Sequence, residues 1–292
     1  TQSPTGGLDC QYNPDQGVQS SPAVGQFLAG GEIGIVVGTS HAFGGVSDSN
    51  KVMAFDTQCR LAWQVTVEGA TESSPALADV QGNGALAVVE GTDGGPGKGW
   101  VYALNGTTGA VLWSRPVGEV IGGVVTVDIG QGYQDVVVPT TNGADVLDGR
   151  NGQVLMTLAR SLGLQSSPLV TEDPNGTVGI TLAGYNGHNQ GQIEHFELAG
   201  SSGAKVDQTG AWPMFHHDPQ LTGNAGVPLA GTPGLRPPGS ATSVASRCHA
   251  PTGGPNGYYE VGIAGTVFGY GNVARCGSLA GSKLAIVGIA AT

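Results

Sequence analysis

A short motif recurs along this chain at a nearly constant interval, and this repetition constrains the fold more than any other feature. Ser20-Ser21-Pro22-Ala23-Val24 returns as Ser73-Ser74-Pro75-Ala76-Leu77 and as Ser166-Ser167-Pro168-Leu169-Val170, with a degenerate copy at Gly122-Gly123-Val124-Val125. The intervals between successive copies, about 44–53 residues, are typical of β-propeller blades, because helical repeats are shorter. One blade cannot bury both of its faces, so we expect the units to pack side by side around a ring.

Each repeat is expected to form four short strands separated by Gly- and Asn-rich turns. The chain has 52 glycines among 292 residues and only 11% charged residues, which favours many strands with tight turns over long exposed helices. In the last repeat the final strand is expected near Ala204–Met214. The predicted fold class is all-β: a propeller of about four blades of four-stranded antiparallel sheets, plus a small C-terminal β-module.

A Pro- and Gly-rich stretch divides the chain. Residues 225–243 show no strand pattern and contain Thr232-Pro233-Gly234 and Arg236-Pro237-Pro238-Gly239, so they are predicted to be a linker. The predicted propeller therefore covers residues 1–224, and the small module covers residues 244–292.

The net charge and the length of the apolar runs exclude two classes of interaction. The net charge is −11, the sequence pI is about 4.7, and the 11 basic residues are scattered, so nucleic acid is not an expected partner. The longest apolar runs, such as Ile33–Val37, are strand-sized, and no membrane insertion is expected. The start at Thr1 resembles a processed, mature end, so the missing export signal does not argue against the secreted or cell-surface location that we expect.

Four cysteines, Cys10, Cys59, Cys248 and Cys276, occur without Cys-x-x-Cys spacing. This pattern fits disulfides in an oxidising compartment better than zinc or redox chemistry. Three pairings are possible, and we favour Cys10–Cys59 with Cys248–Cys276 because each pair lies within one predicted module. Buried free thiols are the alternative.

Two stretches resemble known propeller families. Val101-Tyr102-Ala103-Leu104-Asn105-Gly106-Thr107-Thr108-Gly109-Ala110-Val111-Leu112-Trp113 is similar to the tryptophan-docking motif of quinoprotein-like (PQQ-type) propellers, and Met53-Ala54-Phe55-Asp56 with Leu61-Ala62-Trp63 is a looser copy. The Ser-Ser-Pro-Ala starts resemble FG-GAP (VCBS-like) repeats, and residues 212–223 are similar to a segment that often ends such propellers. The resemblance implies a blade-packing role for Trp63, Trp113 and Trp212.

The C-terminal module resembles a Gly-Tyr-Trp repeat of secreted actinobacterial proteins. Gly257-Tyr258-Tyr259-Glu260-Val261 and Gly265-Thr266-Val267-Phe268-Gly269-Tyr270 carry this resemblance, although Tyr259 stands where Trp is usual. Aromatic residues on a Gly-rich sheet can stack on sugars or contact a protein. Tyr258, Tyr259, Phe268 and Tyr270 are therefore candidate partner contacts, and filling a small core is the alternative.

Four blades are few for a propeller, and Leu8-Asp9-Cys10-Gln11-Tyr12 reads as the outer strand of an incomplete blade. Either this strand crosses the seam of the ring and completes the fourth blade, or another chain supplies missing blades. We favour the first alternative because open strand edges promote association.

Candidate chemical groups are sparse. Asp79 and Asn83, in the turn Asp79-Val80-Gln81-Gly82-Asn83-Gly84, are a weak calcium candidate, and a plain Asx turn is the alternative. The quinoprotein resemblance covers structural motifs only, so no PQQ is expected. His216-His217-Asp218 is expected to make structural hydrogen bonds, since adjacent strand residues face opposite sides. The same alternation argues against Glu194 and Glu197 as an acid/base pair, and His188, His195 and His41 are expected in polar loops or at the surface.

These observations predict an extracellular, non-catalytic β-propeller that binds or scaffolds a protein or glycan partner, with no catalytic residues and no cofactor other than the possible calcium. A self-assembling cell-surface or filament subunit is one alternative. A quinoprotein-type enzyme is the other.

Overall fold

A computed structural model of the chain describes residues 8–14, 17–40, 50–172, 177–198, 201, 206, 210–218, 221–226, 257–261 and 267–271. The chain divides into two units, Thr1–Thr232 and Pro233–Thr292, and the division falls inside the predicted linker. A 3-10 turn at Ala29–Gly31 is the only helical element among the described residues, so the structure is all-β as predicted.

The first unit contains four antiparallel sheets, one for each repeat, and in each the strands follow chain order. The first sheet contains β1 (Ala23–Gln26), β2 (Ile33–Thr39), β3 (Lys51–Asp56) and β4 (Leu61–Thr66). The second contains β5 (Ala76–Ala78), β6 (Ala87–Asp93), β7 (Gly99–Asn105) and β8 (Val111–Val117). The third contains β9 (Val125–Val127), β10 (Asp135–Thr140), β11 (Gly143–Leu147) and β12 (Val154–Leu158). The fourth contains β13 (Leu169–Glu172), β14 (Val178–Tyr185) and β15 (Gly191–Leu198).

The first strand of each sheet is its innermost strand. β1 contacts β5, β5 contacts β9, and β9 contacts β13, so the four sheets succeed one another like the blades of a propeller. Two hydrophobic cores lie between them: one joins the first, second and third sheets, and the other joins the third and fourth. Neither core contains residues of both the first and the fourth sheet.

Two outer-strand tryptophans join successive sheets. The indole N–H of Trp63 donates to the Gly106 carbonyl of the second sheet at 2.7 Å, and that of Trp113 donates to the Gly149 carbonyl of the third sheet at 2.7 Å. Both side chains are 8% exposed. Glycine is required below the ring, since a Cβ at Gly109 would lie 2.7 Å from Trp63. Both tryptophans therefore lie between blades.

Leu8–Tyr12 lie on the first sheet rather than the fourth, which corrects the expectation that this segment completes the fourth blade. The predicted Cys10–Cys59 disulfide is present and ties this segment to the β3–β4 turn. The Tyr12 ring lies 4.9 Å from the Phe55 ring. A covalent link and an aromatic contact therefore hold the segment away from the fourth sheet.

The described residues of the final stretch near Ala204–Met214, which are 206 and 210–214, do not form the expected fourth strand of the last blade. Among the described residues the fourth sheet has three strands. The Gly210 and Trp212 carbonyls instead accept hydrogen bonds from the second and third sheets, and the Pro213 carbonyl accepts one from the innermost strand of the fourth sheet rather than from β15. The carbonyl groups of Gly210, Trp212 and Pro213 are therefore not used to pair with β15.

The second unit contains the antiparallel pair β16 (Gly257–Val261) and β17 (Val267–Gly271). Its register places Tyr258 opposite Tyr270, Tyr259 opposite Gly269, and Glu260 opposite Phe268. Cys248 and Cys276 lie outside the described residues, so their pairing stays a prediction. Within the described part of the chain, no helix is long and apolar enough to cross a membrane.

Candidate functional site

The four copies of the repeated motif meet at one end of the propeller axis, and we call them the repeat turns. The Ser21 amide donates to Ser74 Oγ at 3.1 Å, and the Ser73 hydroxyl donates to the Gly122 carbonyl at 3.2 Å. A Cβ at Gly122 would lie 2.7 Å from the Ser166 carbonyl group. The third copy is degenerate because this close backbone approach excludes a side chain.

One stretch of chain, described at residues 210–218 and 221–225, hydrogen-bonds to all four sheets, and we call it the axial segment. Its partners are the innermost strands and the residue that follows one of them. The contacts are Asp79 N–H to the Gly210 carbonyl (3.0 Å), Thr126 N–H to the Trp212 carbonyl (2.8 Å), Val170 N–H to the Pro213 carbonyl (2.8 Å) and Val24 N–H to the Gly223 carbonyl (2.7 Å). The axis of the propeller is therefore occupied by the protein's own backbone.

A tight turn of the axial segment is held by a buried polar group. His217 Nδ1 lies 3.2 Å from Asp218 Oδ2, and the side chains are 3% and 1% exposed. The Thr222 hydroxyl also donates to Asp218. Burial lowers the pKa of His217, while the Asp218 carboxylate opposes that shift. The predicted structural hydrogen bonding is present for His217 and Asp218. These residues lie in a turn rather than a strand, and His216 Nε2 makes no hydrogen bond.

The same turn presents apolar side chains at its surface. Phe215 is 38% exposed and Leu221 is 50% exposed. The His216 ring stacks on Phe215 at 3.9 Å. The backbone is left-handed at His216, His217 and Leu221, with φ of 56°, 74° and 56°, a conformation that costs energy for residues other than glycine. The buried hydrogen bonds hold this strained turn in place. Phe215 also approaches Gly123, so the turn lies at the end of the axis where the repeat turns meet.

Glu90 is a fully buried carboxyl group in β6, and neither of its oxygens makes a hydrogen bond. Burial raises its pKa well above the ordinary value, and the nearby Ser73 hydroxyl and Gly91 N–H oppose this only in part. From the strand registers, the equivalent positions of the other sheets hold Val37, Val138 and Leu182. Sequence reasoning missed Glu90, although an acid at a position that is apolar in the other repeats was the available signal.

Asp135 is a second buried acid, at the start of β10. Its Oδ1 accepts the Gly149 N–H at 3.1 Å, and its Oδ2 has no partner. Burial raises the pKa of Asp135 to about 7; the Gly149 N–H opposes the shift, and the charges of Asp148 and Asp128 add to it. Asp135 is therefore largely protonated in weakly acidic solution.

The calcium candidate lies in a turn whose own backbone occupies its oxygens. Asp79 Oδ1 accepts the N–H groups of Gly82 (2.8 Å) and Asn83 (3.1 Å), and Oδ2 accepts that of Gly84 (2.7 Å). The Asn83 side chain accepts the Ala85 N–H at 3.0 Å. An Asx turn accounts for both side chains, and calcium binding stays a prediction.

The remaining sequence candidates are dispersed. Glu194 and Glu197 lie on opposite faces of β15, as expected. His195 Nδ1 lies 2.9 Å from Thr181 Oγ1, His188 is in the exposed turn before β15, and His41 lies outside the described residues. Trp212 is 2% exposed and belongs to the axial segment rather than to an outer strand. In the described ranges, no three His, Cys, Asp or Glu side chains are arranged to hold a metal ion.

No protein-family model matches the chain, and no curated protein matches it. Among solved structures it is similar to BamB from Moraxella catarrhalis (18% identity, TM-score 0.42, 65% of this chain and 52% of that chain). It is also similar to the V. cholerae biofilm matrix protein Bap1 (16%, 0.44, 63% and 27%) and to the quinohemoprotein alcohol dehydrogenase from Comamonas testosteroni (14%, 0.35, 64% and 38%). The chain spans about half or less of the length of these proteins. At such identities the similarity concerns the fold alone.

Proposed function

We propose that this chain is a non-catalytic propeller that binds or scaffolds a protein partner outside the cell. The Cys10–Cys59 disulfide supports an oxidising compartment, where such bonds persist. The net charge of −11 supports a protein partner rather than nucleic acid.

The observation that carries this proposal is the position of the axial segment. Its backbone hydrogen-bonds to all four sheets along the axis, the region where a propeller enzyme would need an open cavity for its substrate. A ligand must therefore bind at an outer surface. Outer surfaces suit contact with a macromolecule better than the enclosure of a small substrate.

The end of the axis is the surface that we assign to the partner. Phe215 and Leu221 are exposed there on a strained turn that buried hydrogen bonds keep in one conformation. Aromatic and aliphatic side chains on a pre-organised backbone lose little entropy on binding and commonly dominate interface energetics. Ser166 of the repeat turns is exposed as well and adds a hydroxyl group at this end of the axis.

A photo-crosslinking experiment tests this assignment. A benzoyl-phenylalanine at position 215 of the full chain is expected to crosslink one defined extracellular protein on cells of the producing organism. Leu221→Asp should abolish the crosslink. The same probe at Val111, 49% exposed on outer strand β8, is the matched control and should give none. Equal labelling from both positions, or labelling that survives Leu221→Asp, would refute the proposed surface.

The competing enzyme hypothesis has its own test. Added PQQ and calcium are expected to give no bound quinone absorbance and no dye-linked alcohol or sugar oxidation. Stoichiometric quinone binding with turnover would refute the binding hypothesis and support the enzyme hypothesis.

A further inference from the structure

Each sheet has a face toward the following sheet, its forward face, and a face toward the preceding one, its backward face. Val36, Val89 and Val137 occupy equivalent positions in the second strands of the first three sheets, and each is paired with a residue of the third strand. Two positions before that paired residue, the third strand has a residue that also lies on the forward face. These residues are Val52, Val101 and Ala144, and each is 0% exposed. The equivalent residue of the fourth sheet is Ile193, which is 75% exposed. A position that is buried in three sheets is thus uncovered in the fourth.

Alternation along β15 confirms the orientation of Ile193. Phe196 is paired with Ile180 and packs in the core between the third and fourth sheets, so it lies on the backward face. Ile193 is three residues away and lies on the opposite face, beside its exposed partner Ala183. Tyr185, on the same face, is 52% exposed. The forward face of the fourth sheet is therefore an exposed surface with apolar side chains.

The opposite end of the array carries an apolar groove. It lies on the backward face of the first sheet, has a volume of about 240 Å³, and is lined by Val37 and Phe55 of that sheet together with Tyr12 and Val18 of the N-terminal segment. Tyr12 is 43% exposed and Val18 is 48% exposed. The Cys10–Cys59 disulfide holds the N-terminal side of this groove in place. The groove has room for one branched aliphatic side chain.

We propose that copies of this chain associate head to tail, with Ile193 of one copy inserted into the groove of the next. Between successive sheets of the chain, a forward face packs on a backward face. The forward face of the fourth sheet and the backward face of the first sheet are the two faces that remain at the ends of the array. Charge complementarity supports the same pairing: Glu197 is exposed on the forward face of the fourth sheet, and Lys51 is on the backward face of the first. Because the two surfaces differ, the contact is heterologous and leads to chains or closed rings.

Sedimentation velocity of the full chain, from micromolar to millimolar concentration, tests the proposal. The average mass of the wild type should rise with concentration. Ile193→Asp and Val18→Asp should each weaken association by about tenfold or more, because a charge then enters an apolar contact. Val111→Asp, a charge placed at a similarly exposed aliphatic residue away from both faces, is the control and should behave as wild type.

Mixing the variants separates head-to-tail association from other modes. Ile193→Asp retains an intact groove and Val18→Asp retains an intact Ile193, so an equimolar mixture should form heterodimers that cannot extend. A symmetric contact through either face alone predicts no such complementation. In the same way, Glu197→Lys should weaken association and Lys51→Glu in the partner copy should restore it.

A wild type that stays monomeric throughout, variants that associate normally, or a mixture without heterodimers would each overturn the proposal. Circular dichroism of every variant establishes that a loss of association is not a loss of folding. No partner protein is needed, so the outcome is independent of the extracellular partner proposed above.

Discussion

Replacing Asp135 by Asn should change how the stability of this protein depends on pH. The pKa of Asp135 is about 7 in the folded protein, against 3.8 for an ordinary aspartate. The folded state therefore holds this proton more tightly than the unfolded state, and the stabilisation is complete below about pH 4 and is lost as the pH rises toward about 7. About three pKa units at 1.36 kcal/mol each give at most about 4 kcal/mol of unfolding free energy.

Asn is the informative substitution because it keeps the shape of the side chain and removes the charge. Its carbonyl oxygen can still accept the Gly149 N–H, and its amide takes the position of Oδ2, which has no partner in the wild type. The variant should match the wild type in stability near pH 4 and exceed it by about 2–4 kcal/mol near pH 8, because no buried charge forms.

Urea unfolding followed by tryptophan fluorescence between about pH 4 and pH 8 measures the difference directly. Asp9→Asn, which removes an exposed carboxylate, is the matched control and should leave the pH profile nearly parallel to that of the wild type. If Asp135→Asn and the wild type also gave parallel profiles, Asp135 would titrate as an ordinary aspartate and the reasoning from its burial would be wrong.

Two further substitutions test the packing between sheets by the same unfolding assay. Trp113→Phe should lower the unfolding free energy by about 1–3 kcal/mol, because the buried Gly149 carbonyl loses the hydrogen bond from the indole N–H. A change under about 0.5 kcal/mol would show that this hydrogen bond does not contribute to stability. Glu90→Val should raise the unfolding free energy by about 1–3 kcal/mol at neutral pH, because Val37 and Val138 already occupy the equivalent positions of two other sheets. A destabilised Glu90→Val protein would instead indicate that the carboxyl group has a partner that the structure does not reveal.

The regular parts of the fold followed from local patterns. The Ser-Ser-Pro starts predicted the innermost strands, because the motif directly precedes a short apolar run in each repeat. The motif around Trp113 predicted a contact between blades, and the structure shows that contact as a hydrogen bond to Gly149. Both features could be predicted because the sequence motif that indicates each of them lies within a single repeat.

The features that the sequence analysis missed depend on several repeats at once. Residues 204–214 were assigned to the fourth blade because of their place in the chain, yet the backbone of Gly210, Trp212 and Pro213 bonds to three different sheets. Leu8–Tyr12 was assigned to the same blade, whereas Cys10 and Tyr12 hold it on the first sheet. Burial of Glu90 likewise appears only when the sheets are assembled.

The axial segment also determines when this unit can finish folding during synthesis. Each sheet is built from neighbouring hairpins, whose local contacts form early as the chain emerges from the ribosome. The backbone that bonds Val24 to Gly223 joins residues almost 200 positions apart, so it becomes available only after every sheet has been translated. A chain that ends before residue 210 would therefore hold four sheets whose innermost N–H groups still lack their native acceptors, and these open strand edges could pair with another chain.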